Sequence, residues 1–202
     1  MPGKIKVLLF DLGGVVIDIS FDEAFKVWAN YANVKTEALK QKWTQDEAYE
    51  QHERGEIKAE EYFASLRQSL SINLTDEQFR EGWNAIFLGE VNETVSLLKD
   101  LKQHMPLYAF TNNNATHHEK AKALYYETLA IFNQIFCSFQ MRKRKPEAEA
   151  YAFVAKEIGA EPKEIMFFDD SEINVKAAHQ SGMQAVLVKT PQDVAEGVKS
   201  AI

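Results

Sequence analysis

The chain has little of what directs a protein out of the cell, into a membrane or onto a nucleic acid. Its 202 residues contain one cysteine, Cys137, and carry a net charge of −7. A single thiol cannot form an internal disulfide, and an acidic chain presents no broad basic surface to nucleic acid or to an anionic membrane. The first apolar run ends at Asp11, too short for a signal peptide or a membrane span. We therefore expect a soluble cytoplasmic protein, monomeric or weakly homodimeric, without a nucleic-acid or membrane partner.

Strands alternate with helices over most of the chain. Apolar runs predict the strands, near residues 7–10, 106–110, 134–138, 165–168 and 184–188. Such an alternation favours a parallel sheet, so we predict an α/β, Rossmann-like fold with helices on both faces of the sheet. Cys137 lies in the third run, where no base accompanies it, and we expect it to fill the core.

The segment from residue 19 to residue 88 has a different pattern, in which we identify no strand. Its aromatic residues recur at helical spacing, and Phe79, Trp83 and Phe87 form one such stripe. We therefore predict an all-helical domain, residues 19–88, inserted into a sheet domain that comprises residues 1–18 and 89–202.

Polar groups follow three of the predicted strands, and a basic run precedes a helix: Asp11, Thr111 with Asn112, Asp169 with Asp170, and residues 142–145, which include Lys145. The ends of parallel strands share one edge of the sheet, so these groups can converge there. Three acids repel one another unless a cation lies between them, and carboxylate oxygens suit Mg²⁺. A hydroxyl, an amide and a lysine beside them can neutralise a phosphoryl group. Taken singly, each group is equally typical of a turn, a helix cap or a solvated loop.

In their order along the chain, these four segments resemble the motifs of the haloacid dehalogenase-like hydrolases, most of which are phosphatases. The helical insertion resembles the cap of the helical-cap subclass of that family. The segments that look closest to the sugar-1-phosphate phosphatases, with glucose-1-phosphate phosphatase as the nearest type, are residues 11–13, 52–56 and 167–170. The resemblance implies a Mg²⁺-dependent phosphatase that acts on a small phosphorylated metabolite, most readily a sugar phosphate.

The resemblance also implies a role for each motif residue. Asp11 would be the nucleophile that forms an aspartyl-phosphate. Thr111 and Asn112 would bind phosphate oxygens, and Lys145 would neutralise the nucleophile and the phosphoryl group. The Mg²⁺ ligands would be Asp11, the carbonyl of Gly13 and Asp170, with Asp169 bound directly or through water and Asn174 orienting the acids.

The chain departs from the family at Gly13, where these phosphatases usually carry a second Asp that protonates the leaving oxygen and activates water. Three explanations stay open. The substrate has a good leaving group, such as an anomeric oxygen; the cap supplies a substitute, with His52 or Glu53 as the candidates for acid and for substrate binding; or the protein is a weak catalyst. The simpler interpretation of His52 is a solvated helix position. His117 and His118 follow the second motif and could line a phosphate loop, but we expect them at the surface.

Two other classes of function are compatible with these residues. A dehalogenase or a phosphonate hydrolase of this fold works without the second Asp. The acid pair Asp169–Asp170 argues against a dehalogenase, which needs no metal, and no lysine of the insertion lies in a recognisable motif of a phosphonate hydrolase. The other alternative is a non-catalytic protein that binds a phosphorylated ligand, and the retained Asp11 argues against it.

Overall fold

The computed structural model describes residues 4–201 and contains a central five-stranded parallel sheet. The strands are β1 (Val7–Phe10), β2 (Ile17–Ile19), β3 (Phe87–Glu90), β4 (Leu107–Thr111), β5 (Gln134–Cys137), β6 (Ile165–Asp169) and β7 (Gln184–Leu187). The sheet has the order β5-β4-β1-β6-β7, and all neighbouring strands in it are parallel. This confirms the predicted Rossmann-like sheet and places β1, which ends just before Asp11, in the middle of it.

Alternate residues of β1 belong to two separate hydrophobic clusters, one on each face of the sheet. Leu8 and Phe10 lie in one cluster, and Val7 and Leu9 in the other. A parallel sheet must be covered on both faces because its crossover helices lie there. This explains why β1 is an unbroken apolar run and not an alternation of apolar and polar residues.

Twelve α-helices and one short 3-10 helix lie within the described residues. They are α1 (Phe21–Ala32), α2 (Thr36–Lys42), α3 (Glu47–Glu53), α4 (Ala59–Leu70), α5 (Asp76–Asn84), α6 (Asn92–Leu101), α7 (Ala115–Leu124), α8 (Tyr126–Leu129), α9 (Ser138–Met141), α10 (Ala148–Ile158), the 3-10 helix Pro162–Glu164, α11 (Glu172–Gln180) and α12 (Pro191–Ala201). Helices α6 and α12 contribute Leu98 and Val194 to the cluster of Leu8, while α10 and α11 contribute Tyr151 and Ala178 to the other cluster. Within residues 4–201, none of the helices has the length and apolar content that spanning a bilayer takes.

Helices α1 to α5 surround a third hydrophobic cluster, which is rich in aromatic side chains. Trp28 of α1 and Trp83 of α5 are both buried, and their rings stack with centroids 5.9 Å apart. This cluster is separate from the two that cover the sheet, as an inserted helical domain requires. The domain boundaries after residues 18 and 88 stay a prediction.

The end of the insertion differs from the prediction that it contains no strand. Helix α5 ends at Asn84, and Phe87 begins β3, which pairs antiparallel with β2. The spacing of four residues from Trp83 suits a helix, but pairing with β2 satisfies the backbone N–H and C=O groups of this segment. The assignment of Phe87 to a helical stripe is therefore wrong, and β2 with β3 forms a two-stranded connection between the sheet and the helices.

Candidate active site

Asp11 lies directly after the central strand, at the sheet edge where ligands of open α/β sheets bind. Its Oδ1 accepts the backbone N–H of Leu12 at 2.7 Å. The residue is only 9% exposed. Burial raises the pKa of its carboxyl to about 7; Lys145 opposes this shift, and Asp169 and Asp170 add to it.

Lys145 is buried between two carboxylates. Its Nζ lies 3.1 Å from Asp11 Oδ1 and 2.6 Å from Asp169 Oδ2. The rings of Phe110 and Phe167 each have their centroid 5.2 Å from the same Nζ. Burial alone would lower the pKa of Lys145, but the two carboxylates outweigh it and the pKa is raised. The lysine therefore keeps its positive charge beside Asp11.

The side chain of Asn112 binds the backbone of Lys145. The Asn112 Oδ1 accepts the N–H of Lys145 at 2.8 Å, and its Nδ2 donates to the Lys145 carbonyl at 2.8 Å. Thr111, the residue before it, ends β4, is 5% exposed and lines the same cavity. The Asn112 side chain is thus used to position Lys145, and phosphate binding by Thr111 and Asn112 stays a prediction.

The neighbouring acids Asp169 and Asp170 have different surroundings. Asp169 is fully buried, and its Oδ1 accepts the N–H of Ser171 at 2.9 Å and the amide of Asn174 at 3.0 Å, while Oδ2 faces Lys145. Asn174 thus orients Asp169. Asp170 is exposed toward the cavity, and its pKa is raised by partial burial and by repulsion from Asp169.

Three carboxylates converge here in a form that suits a hard divalent cation. Oxygen atoms of Asp11, Asp169 and Asp170 lie within 4.8 Å of one another. Lys145 offsets part of their charge, and a cation that prefers oxygen ligands would offset more. Gly14 keeps the space open, because its φ is +74° and a Cβ there would collide with the Asp170 carboxylate. Gly13 lines the same cavity, and its carbonyl as a ligand stays a prediction.

A cavity of about 500 Å³ lies between this sheet edge and the helical insertion. The insertion contributes one wall, which is made of Ile19, Phe21, Gln45, Tyr49, Glu50, Glu53, Ile86 and Phe87. From the sheet side, Asp11, Thr111, Lys145 and Asp170 face the same space. The insertion, residues 19–88, therefore covers the polar edge of the sheet and forms the cap of the active site.

The two cap residues predicted to replace the missing acid lie in different places. Glu53 lines the active-site cavity, and its Oε2 accepts from Nε of Arg144 at 2.8 Å. His52 lines a second cavity of about 330 Å³ instead. It is 3% exposed and stacks on Tyr62 with ring centroids 4.8 Å apart. The predicted solvated position of His52 is wrong because α3 packs this side chain against α4, and the structure does not bring it to the active-site cavity.

His117 is also buried, which contradicts its predicted surface position. Its Nε2 donates to the Trp83 carbonyl at 2.7 Å, and its Nδ1 lies 3.1 Å from Nδ2 of Asn114, which donates to the neutral ring. Burial lowers the pKa of His117 to about 3. The surface prediction fails because α7 packs against α5 of the cap, a tertiary contact.

Cys137 fills the core as predicted, and burial raises the pKa of its thiol to about 12. The prediction that no base accompanies Cys137 is wrong, because His118 Nδ1 lies 3.5 Å from its Sγ.

The sequence-based assignment missed Gln45, Tyr49, Glu50 and Arg144, all of which line the cavity. Arg144 had one usable signal, its place directly before the motif lysine. Glu50 and Glu53 are three residues apart, which puts both on one face of α3. The sequence offers nothing that pairs this face with residue 144.

Comparison with known proteins agrees with this geometry. A family model of the haloacid dehalogenase-like hydrolases matches residues 5–182. The D-ribitol-5-phosphate phosphatase of Bacteroides thetaiotaomicron is 23% identical over 185 residues, which cover 89% of this chain and 90% of that protein. A sesquiterpene phosphatase of Aspergillus oryzae is 30% identical over 183 residues, which cover 88% and 87%.

One of the similar solved structures contains a metal ion. A haloacid dehalogenase family enzyme of Bacteroides thetaiotaomicron, in complex with magnesium and inorganic phosphate, superposes with a TM-score of 0.79 at 28% identity, covering 92% of this chain and 94% of that one. With the three converging carboxylates, this indicates a divalent metal at the site. The chain is thus a phosphatase of phosphorylated small molecules, and it belongs to the haloacid dehalogenase-like hydrolase family.

Proposed function

We propose that this chain is a Mg²⁺-dependent phosphatase that hydrolyses a sugar or polyol phosphate through an aspartyl-phosphate on Asp11. The observation that carries the proposal is the contact of Lys145 with Asp11 at a cavity to which the cap contributes polar groups such as Gln45 and Glu53. A D-ribitol-5-phosphate phosphatase among the relatives supports a polyol or sugar substrate.

In the first step, a carboxylate oxygen of Asp11 attacks phosphorus, and the bond between phosphorus and the leaving oxygen breaks. Oδ1 is engaged by the Leu12 N–H and by Lys145, so we expect the attack from Oδ2. Lys145 reduces the negative charge of the nucleophile and of the transferred group, and the Thr111 hydroxyl donates to a phosphate oxygen. Mg²⁺, held by Asp11, Asp170 and the Gly13 carbonyl, would neutralise further charge between the carboxylate and the phosphate.

In the second step, water attacks phosphorus, the aspartyl-phosphate bond breaks, and the Asp11 carboxylate is regenerated. The leaving oxygen needs a proton in the first step, and the water must lose one in the second. Gly13 offers no side chain for either transfer. The cap places two carboxyls in the cavity, those of Glu50 and Glu53, and Arg144 pairs with both. We therefore assign Glu53 to the binding of leaving-group hydroxyls. Water in the cavity would donate the proton to the leaving oxygen and accept the proton of the attacking water.

The direct test is release of inorganic phosphate from a panel of sugar and polyol phosphates, with Mg²⁺ and with excess EDTA. We expect turnover with Mg²⁺ that chelation abolishes and that Asp11→Asn loses. Asp100→Asn removes the same charge from an exposed position on α6 and serves as the matched control. No release from any phosphate monoester would refute the proposal.

A second candidate substrate class is an apolar phosphate such as a prenyl monophosphate. Part of the cavity wall is apolar and consists of Ile17, Ile19, Phe21, Ile86 and Phe87. The sesquiterpene phosphatase among the relatives supports this class as well. Comparing kcat/KM for geranyl monophosphate and ribitol 5-phosphate separates the two. The cytoplasmic location and the monomeric or weakly dimeric state stay predictions.

A further inference from the structure

The charged side chains of the active-site cavity are unevenly distributed. Among the described residues, those with full charges that line it are Asp11, Glu50, Glu53, Arg144, Lys145 and Asp170. Lys145 is committed to the phosphoryl end, because it lies between Asp11 and Asp169. Arg144 is thus the remaining permanent cation that could meet the part of the substrate beyond the phosphate.

Carboxylates of the cap occupy the hydrogen-bond donors of Arg144. Glu53 accepts from both Nε and Nη2 of Arg144 at 2.8 Å, and Glu50 accepts from Nη1 at 3.1 Å. The Arg144 and Glu53 side chains are 10% and 7% exposed, so water screens this pair weakly. All three nitrogens of the guanidinium are therefore bonded to carboxylates of α3.

The same carboxylates outnumber the cation. Two acids of the wall, Glu50 and Glu53, face one guanidinium. Glu50 also reaches Arg54, but that arginine is shared with Glu47, Glu56 and Glu147 and does not line the described cavity wall. A second anion on the substrate would meet carboxylates here, and among the described lining residues it would find no cation that is free of them. Juxtaposed like charges oppose binding strongly.

We infer that the leaving group of the substrate carries no second anion, and that the cap pair Glu53–Arg144, with Glu50, rejects such anions. This inference rests on the proposed phosphatase function and narrows its substrate class. It admits phosphates of polyols, neutral sugars, amino sugars and apolar alcohols, and it excludes sugar bisphosphates and phosphorylated sugar acids. The carboxylates accept hydrogen bonds from hydroxyl or ammonium groups, which such substrates provide. Selection here works by repulsion of the wrong ligand as well as by contact with the right one.

Substrates that share a phosphate and differ at the other end test this inference. Glucose 6-phosphate, glucosamine 6-phosphate and 6-phosphogluconate form one set, and glycerol 3-phosphate with 3-phosphoglycerate forms a smaller one. We expect kcat/KM of the wild-type protein to be at least about tenfold lower for the acid of each set than for its uncharged member. Where a set is not turned over, the same order is expected in binding to the Asp11→Asn protein with Mg²⁺, measured by calorimetry.

Removing the carboxylates should release Arg144 for an anion. Glu50→Gln and Glu53→Gln are each expected to shift the ratio of acid to uncharged substrate by about tenfold in favour of the acid. Because Glu50 is the more exposed of the two, Glu50→Gln serves where Glu53→Gln does not fold. Glu60→Gln is the control: it frees Arg80, whose Nη2 it contacts at 3.0 Å, without lining this cavity, and should leave the ratio unchanged.

Equal kcat/KM for the acid and the uncharged member of each set, or equal binding where nothing is turned over, would overturn the inference. Unchanged ratios in both the Glu50 and the Glu53 variants would overturn the role of the pair. Discrimination in binding without hydrolysis of any monoester would instead refute the proposed function and leave the selectivity standing.

Discussion

The side-chain amide of Asn112 bonds both backbone polar groups of Lys145, each at 2.8 Å. The two residues are 33 positions apart in the chain, and this pair of bonds joins the second motif of the site to the third. It fixes the backbone from which a buried ammonium reaches Asp11 and Asp169. A side chain that resembles a phosphate ligand in the sequence is thereby a support of the catalytic lysine.

Asn112→Ala should therefore reduce turnover more than substrate binding. A displacement of about 1 Å in a catalytic group can cost ~10²-fold in rate, so we expect kcat to fall by about 10- to 100-fold with a smaller change in KM. The loss of the two bonds should also lower the free energy of unfolding by about 1–3 kcal/mol. Steady-state kinetics and urea denaturation measure both, with the exposed Asn30→Ala on α1 as the control. A change in KM alone would show that Asn112 acts on the substrate instead.

Restoring the acid that Gly13 lacks should accelerate the enzyme on substrates with poor leaving groups. A Cβ at Gly13 would lie 2.7 Å from Cδ1 of Ile19, the end of a flexible side chain. Gly13→Asp combined with Ile19→Val removes that methyl and admits the carboxyl. A positioned acid–base contributes ~10²–10⁴-fold, so we expect at least about a tenfold gain in kcat on alkyl phosphates. On p-nitrophenyl phosphate, whose leaving group needs no proton, we expect little change.

Two controls define that result. Ile19→Val alone should leave kcat unchanged on both alkyl phosphates and p-nitrophenyl phosphate. Gly14→Asp should abolish activity, because Gly14 has φ +74° and its Cβ would collide with the Asp170 carboxylate. An equal gain on both phosphates would mean that the new carboxyl acts on something other than the leaving group.

The sequence predicted those parts of the molecule that local patterns determine. β1 is apolar throughout because both faces of the sheet are covered, and the run stops at Asp11 because a charged group belongs at the edge. Parallel connectivity then brings Thr111, Lys145 and Asp170 to the same edge, so motif order was enough to assemble them.

What the sequence did not predict depends on contacts between distant segments. The buried face of helix α3 was not predicted because Glu47–Glu53 offers little apolar periodicity. Its burial comes from Tyr49 and His52 on the aromatic cluster and from the ion pair of Glu53 with Arg144, 91 positions away. A sequence pattern predicts that polar side chains are exposed, even where contacts with distant segments bury them. The wrong prediction for His117 has the same cause.

Breaking the ion pair Glu53–Arg144 should lower the free energy of unfolding strongly, whereas replacing both residues by apolar ones should change it little. Removal of one partner leaves a buried charge without its counter-ion, which costs ~3–5 kcal/mol, whereas an apolar pair of similar volume is often neutral. We therefore expect Arg144→Met to destabilise the protein by about 3 kcal/mol and the double variant with Glu53→Met to recover most of the loss. Urea denaturation of the four proteins of this cycle gives the coupling energy. Additive effects of the two substitutions would show that Glu50 alone holds Arg144.

The buried imidazole of His117 should make the folded state sensitive to acid. Burial lowers its pKa from 6.5 to about 3, so the unfolded chain binds a proton on this residue between these values and the folded chain does not. The contribution of His117 to the free energy of unfolding is therefore fully present above about pH 6.5. It falls by up to ~1.4 kcal/mol per pH unit as the pH decreases toward 3, and below that pH it no longer changes.

The variant His117→Gln should be less stable than the wild type at pH 7, because the bond to the Trp83 carbonyl is disturbed, yet its free energy of unfolding should fall less steeply between pH 6.5 and 4. Urea denaturation over this range measures the slope. His104→Gln, at an exposed position, should keep the wild-type slope, and the same slope in His117→Gln would assign the acid sensitivity to other groups.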